Sequence, residues 1–205
     1  HLRASEERPG TLWIVDREKK KVIYEIMIYM TRYRDWKEIF VVFSKDSKKL
    51  YAVESGTGFL DVVRTSDWKF VKKVNLGIQP QNPVLSSDGK FLYVPNLYSR
   101  DITVVDTRED IVVDSIKIDG LPSAVDLDPD GKTLYVADIE RHCVLFIDLS
   151  TRAVIKQVPA GSVPSNILLV DGRFLYVLNT YSNNLSIIDV VKKENIKSMG
   201  AGILP

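Results

Sequence analysis

Residues 120–150, GLPSAVDLDPDGKTLYVADIERHCVLFIDLS, decide how this chain folds, because they are one copy of a unit that recurs. The pair Leu134-Tyr135 has counterparts at Leu50-Tyr51, Leu92-Tyr93 and Leu175-Tyr176, spaced 42, 42 and 41 residues apart. An Asp-Gly turn precedes each later pair, at Asp88-Gly89, Asp130-Gly131 and Asp171-Gly172, and Asp46-Ser47 stands there in the earliest copy. A lead-in of Gly and Pro comes before the units: Pro80, then Gly120 to Pro122, Gly161 to Pro164 and Gly202 to Pro205. An apolar run ending in Asp follows each later pair, as ITVVD to Asp106, VLFID to Asp148 and LSIID to Asp189.

The apolar runs are short, rich in Val, Ile, Leu, Tyr and Phe, and bounded by Gly, Pro, Asn and Asp, which is strand chemistry. The Asp-Gly pairs supply the positive φ of tight hairpin turns. A period of about 40–45 residues with four short strands per unit is the spacing of a β-propeller blade. The expectation is therefore an all-β chain of β-propeller blades, each of four antiparallel strands, with about four and a half blades in one domain over residues 1–205. Complete blades are expected at about 39–76, 82–118, 123–159 and 165–198, and a half blade at 11–30. Residues 12–16 match a blade's third strand and 21–28 its fourth. The run from Val22 to Met30 also fits a helix, and the register of the repeat decides for a strand.

The strings LYVPNLYSRDITVVD, LYVADIERHCVLFID and LYVLNTYSNNLSIID resemble the YVTN-type propeller repeat, over roughly residues 11–205. That resemblance implies kinship with surface-layer and envelope proteins, and with nitrite-reductase haem-domain and lactonase propellers. It implies a periplasmic, envelope or extracellular location. It names no activity, since propellers host many unrelated functions.

With 28 basic and 27 acidic residues the net charge is +1, which gives no reason to expect nucleic acid or a membrane surface as partner. No apolar run reaches the ~18–20 residues that span a bilayer. The single cysteine, Cys143, excludes an internal disulfide. Abundant charge with little Gln or Cys is a thermophile's composition. A row of four and a half blades has two apolar end faces, each comparable with the ~300–600 Å² that a monomer tolerates as its largest patch. Another protein chain or further blades are therefore expected to complete the ring.

The repeat is broken once. Asp16 and its counterpart Arg64 lie 48 residues apart, and the surplus falls in residues 29–37, YMTRYRDWK. Arg32, Tyr33, Arg34, Trp36 and Lys37 there have the charge and stacking surface for an anionic or planar ligand or a partner chain. The plainer reading is a longer loop packing its aromatics over the channel mouth. On the same looped face the sequence places Glu54, Tyr98, Glu140, Arg141, His142 and Tyr181 as candidate binding residues. Asn96, Asn179, Ser182 and Asn183 read as turn residues bonding their own backbone.

His142 and Cys143 are adjacent on a strand and point to opposite faces, so a shared metal is not expected. The repeated carboxylates Asp16, Asp106, Asp148 and Asp189 read as Asx-turn caps, with Arg64 marking a blade that must close its turn differently. No nucleophile elbow, phosphate loop or zinc cluster appears. The expected function is a non-catalytic scaffold presenting a binding surface on its looped face, with no cofactor, metal or catalytic residue assigned. The alternatives are a haem- or tetrapyrrole-associated redox propeller and a lactonase-type hydrolase using Glu54, Asp138 or Glu140. Haem loading followed by a visible spectrum, and a lactone hydrolysis assay, separate these.

Overall fold

A computed structural model describes residues 10–28, 38–200 and 202. These residues form no helix; they are strands joined by turns. The first two strands, β1 (Gly10–Asp16) and β2 (Lys21–Ile28), make a two-stranded antiparallel sheet. Four four-stranded sheets follow, each a simple meander of sequence neighbours. Blade I holds β3 (Ile39–Phe43), β4 (Lys49–Glu54), β5 (Phe59–Arg64) and β6 (Lys69–Asn75). Blade II holds β7 (Val84–Leu85), β8 (Phe91–Asn96), β9 (Asp101–Asp106) and β10 (Ile111–Lys117). Blade III holds β11 (Pro122–Leu127), β12 (Thr133–Asp138), β13 (Cys143–Asp148) and β14 (Val154–Pro159). Blade IV holds β15 (Pro164–Val170), β16 (Phe174–Asn179), β17 (Asn184–Asp189) and β18 (Glu194–Gly200). The architecture is that of a partial propeller of about four blades.

The strand alternation explains the stacking. Successive side chains of a strand face opposite ways, and here both faces of the middle blades are apolar. Tyr51, Val53, Leu60 and Val62 of blade I meet Leu92, Val94 and Val105 of blade II. Ile102, Val104 and Tyr93 on the other face of blade II meet Leu134, Val136, Leu145 and Ile147 of blade III. Tyr135, Ala137, Val144 and Phe146 of blade III then meet Leu175, Val177 and Ile188 of blade IV. Each core is thus the gap between two sheets.

The turns follow the sequence closely. Asp106 Oδ1 accepts the backbone N–H of Arg108 and Glu109, and Asp16, Asp148 and Asp189 do the same in their hairpins. In blade I, where Arg64 replaces the aspartate, Arg64 instead grips Asp67 at 2.9 and 2.8 Å. That guanidinium holds the Asp67 carboxyl at about 2. The glycines of the Asp-Gly turns have φ of 77°, 70° and 62°, and Ser47 takes φ 58° where glycine is missing.

One feature of the ladder was not legible beforehand. Every third–fourth strand pair is bulged two residues before the turn aspartate or its substitute, between Val62 and Val63 in blade I and between Phe146 and Ile147 in blade III. The β1–β2 pair carries the same bulge, between Ile14 and Val15. A bulge adds local twist and turns the outer strand away from a flat edge. The first strand of blade II is only two residues long. Pro80 and Pro83 lack the N–H that a longer ladder needs, and Pro80 makes only an isolated bridge to Asn96.

Candidate functional site

The looped face is built around the residue that ends each second strand. Glu54, Asn96, Asp138 and Asn179 occupy that place, and the last three are fully buried. Asn96 Oδ1 accepts the Gly77 N–H at 3.1 Å, while its Nδ2 donates to Asp101 Oδ1 and Thr103 Oγ1. Asp138 Oδ1 accepts from the backbone N–H of Leu121, Glu140 and Arg141, and its Oδ2 from Arg141 Nη1 at 3.1 Å. Asn179 Nδ2 donates to Asn184 Oδ1 and Ser186 Oγ. These side chains tie the incoming lead-in or the neighbouring third strand to the second strand. The turn reading of Asn96 and Asn179 is corrected accordingly: they bond across strands. Asn183, with φ 48°, is a true turn residue, and Ser182 Oγ accepts the N–H of Ser162.

The glycine of the lead-in now has a reason. A Cβ on Gly120 would stand 2.0 Å from Asp138 Oδ2, and one on Gly77 or Gly161 would strike Asn96 or Asn179 as closely as 2.6 and 2.7 Å. The buried polar side chain occupies the space that any other residue would need.

Two residues beyond this fixed point the chain reaches its tip, and there the repeat varies freely: Gly56, Tyr98, Glu140, Tyr181. Tyr98 is 55 % and Tyr181 80 % exposed, and Ile78 stands exposed beside Tyr98, whose N–H reaches the Ile78 carbonyl at 3.2 Å. Arg100 grips Glu140 through both nitrogens at 2.8 and 2.9 Å, joining blades II and III across the face. That pairing lowers the Glu140 pKa. Arg141 spans Asp138 and Asp119. His142, exposed at φ 54°, accepts the Val163 N–H on Nδ1 at 3.3 Å. Cys143 is buried, and burial pushes its thiol up to about 11, so it is a core residue rather than a nucleophile at neutral pH. Arg32, Tyr33, Arg34, Trp36 and Lys37 lie outside the described residues.

Glu54 sits apart from the exposed tips. It is 3 % exposed, accepts from Thr57 Oγ1 at 2.5 Å, and shares Lys73 Nζ (3.2 Å) with Asp61 (3.0 Å). Lys73 also lies over the Phe59 ring. Burial, reinforced by the neighbouring Glu54 carboxyl, pushes Asp61 up to about 6. Sequence reasoning missed Asp61 because its counterparts are Thr103, Leu145 and Ser186, and nothing local announces that it is buried. A carboxyl whose pKa is raised on folding binds its proton more tightly in the native state, so native stability rises as pH falls through 6 towards 4. Between pH 7.5 and 5 the gain expected from this site is about 1 kcal/mol, the full shift being reduced for a half-solvated group. Urea midpoints of wild type and Asp61→Asn across that range check it: the variant should lose this part of the pH dependence. Parallel curves would mean that Asp61 titrates normally.

No family model matches the chain, and no curated protein matches it. Among solved structures it is similar to hydrazine synthase of Kuenenia stuttgartiensis, with 24 % identity and a TM-score of 0.71 over 83 % of this chain and 52 % of that one. At that identity the likeness establishes the fold and nothing finer. The chain spans about half the length of that relative. Among the described residues no helix is long and apolar enough to cross a membrane, and no group of three or more His, Cys, Asp or Glu side chains is placed to hold a metal ion.

Proposed function

We propose that the chain is a propeller scaffold that presents a protein-recognition surface on its looped face, in a ring completed by further blades or another chain. One observation carries the recognition reading: exposed, variable tips (Tyr98, Glu140, Tyr181) stand directly above buried, bonded residues (Asn96, Asp138, Asn179). Rigid support under variable aromatic and charged tips suits recognition, because aromatic anchors carry much of an interface's energy. Glu54 and Asp138, two of the carboxylates that a hydrolase reading needs, are spent on internal bonds. Kinship with YVTN-type envelope propellers belongs to this proposal, as does an extracytoplasmic location.

The test is affinity capture from the envelope fraction of the source organism, comparing wild type with Tyr98→Ala/Tyr181→Ala. A specific partner retained by the wild type and recovered at least tenfold less with the variant is the expected outcome. Equal recovery by both would overturn the looped-face reading. Ring completion is tested separately. Tyr176, Leu178, Leu185 and Ile187 on the far face of blade IV are partly exposed, whereas Tyr135, Ala137, Val144 and Phe146 at the same places in blade III are buried. A light-scattering mass above 23.2 kDa for the isolated chain is expected, and a stable, non-associating monomer would count against it.

A further inference from the structure

The gaps between the outer strands of adjacent blades are bridged differently, and one lacks its acid. Between blades II and III, Arg152 Nε and Nη2 donate to Asp114 Oδ2 at 3.0 and 2.6 Å. Between blades I and II, Lys72 Nζ donates to the Glu109 carbonyl at 3.1 Å. Arg152 is the positive-φ residue (63°) of the turn before β14, and Asp114 pairs with Val104 in the ladder. One gap further on, Lys156 pairs with Phe146 and so takes the place of Asp114. Lys193, at φ 57°, takes the place of Arg152. Two lysines thus stand where the preceding gap has an arginine and an aspartate, and among the described residues neither has an acidic partner.

The gap is correspondingly open. A groove of about 620 Å³ runs between β14 and β18, with Lys156, Lys193 and Lys197 against a single acid, Glu194. Val158 is buried in its floor and Ile196 is exposed on its wall. One hydrogen bond, Asn195 Nδ2 to the Pro159 carbonyl at 3.2 Å, ties its sides together. Both flanking strands are sheet edges, six and seven residues long, which is about 20 Å of unpaired backbone.

We propose that this rim groove binds an extended acidic peptide, one of whose carboxylates takes, between Lys156 and Lys193, the place that Asp114 holds beside Arg152. Charge selects the acid, and the apolar floor with free strand edges selects an extended chain with aliphatic side chains alternating between the acids. The site lies on the rim and is independent of the looped-face surface.

The test is fluorescence anisotropy with a labelled octapeptide of alternating Glu and Val, and a Lys-Val octapeptide as control, titrated against the whole chain. The Glu-Val peptide should bind and weaken severalfold between 50 and 300 mM salt, roughly as exposed charges do when screened. Lys156→Asp rebuilds the pair seen one gap earlier, so it should weaken binding at least tenfold while melting at or above the wild-type temperature. Lys193→Glu should do the same, and carries the test if the first variant melts early. Tyr98→Ala/Tyr181→Ala should bind the peptide as the wild type does, which separates this site from the proposed recognition face. No binding of the Glu-Val peptide, equal binding of the Lys-Val peptide, or undiminished binding by the folded charge-reversed variants would overturn the proposal. So would displacement by free glutarate at the peptide's own concentration, which would point to a small-anion site.

Discussion

Phe146→Ala should destabilise the chain by about 3–5 kcal/mol, the range for deleting a fully buried aromatic. Phe146 is 1 % exposed, and its ring meets Tyr135 edge to face at 4.9 Å and 83°. It lies in the core between blades III and IV, against a wall of Leu175, Val177 and Ile188. Truncation would leave a cavity that two sheets, each pinned by its own ladder, cannot collapse. The internal control is Ile187→Ala, the same position one blade on. Ile187 is only partly buried, because among the described residues no sheet lies on the far face of blade IV. Its truncation should cost about 1–2 kcal/mol, since a half-solvated side chain gives up less transfer free energy. Urea unfolding of both variants at low micromolar protein reads the difference. Equal losses at the two positions would mean that something covers the far face of blade IV in solution, which is the outcome expected once a further blade or a partner chain is seated there.

The parts of the fold that were legible in the sequence are those fixed by local chemistry. The Leu-Tyr spacing, the Asp-Gly turns and the terminal aspartates each act within a few residues of themselves, so their periodicity carried over into ladders and Asx caps. Arg64 signalled its own exception, and Asp67 supplies the substitute. What stayed hidden is non-local. Asn96 and Asn179 are ordinary turn residues by type, and only the approach of the lead-in loop and the third strand makes them buried cross-strand donors and acceptors. Gly120 and Gly161 mark turns in the sequence, yet the space they vacate is filled by a side chain about 18 residues later. The shortening of β7 followed from Pro80 and Pro83, whose meaning depends on which backbone groups face the neighbouring strand.

Among the candidate site residues, Tyr98, Glu140, Arg141, His142 and Tyr181 lie in the turns that follow the second strands, whereas Glu54 turns inward to Thr57 and Lys73. The rim lysines were visible as letters and silent as a site. Lys156 becomes informative only when set against Asp114 and placed facing Lys193, which needs the blades stacked.

The second large effect should come from Asp138→Leu, at about 3 kcal/mol of lost stability. The side chain is fully buried and serves four donors: three backbone N–H groups and the Arg141 guanidinium. Leucine would leave the Leu121, Glu140 and Arg141 amides without their acceptor and Arg141 with Asp119 alone, and orphaned donors cost more than a hydrogen bond contributes. Asp138→Asn keeps the Oδ1 acceptor and the shape but puts an N–H donor where Oδ2 accepts from Arg141 Nη1, so it loses that bond as well as the charge, and its loss should be about 1–2 kcal/mol. Gly120→Ala attacks the same contact from the other side. Its Cβ would overlap Asp138 Oδ2, and backbone on one side with a pinned carboxylate on the other leaves little room to move, so a loss of about 1–3 kcal/mol is expected. Combining Gly120→Ala with Asp138→Leu should cost less than the sum of the two singles, because the residues share one contact. Thermal and urea unfolding of the three single variants and the double check this. Strict additivity would show that the lead-in glycine and the buried aspartate are not coupled, and that the looped tips rest on some other support.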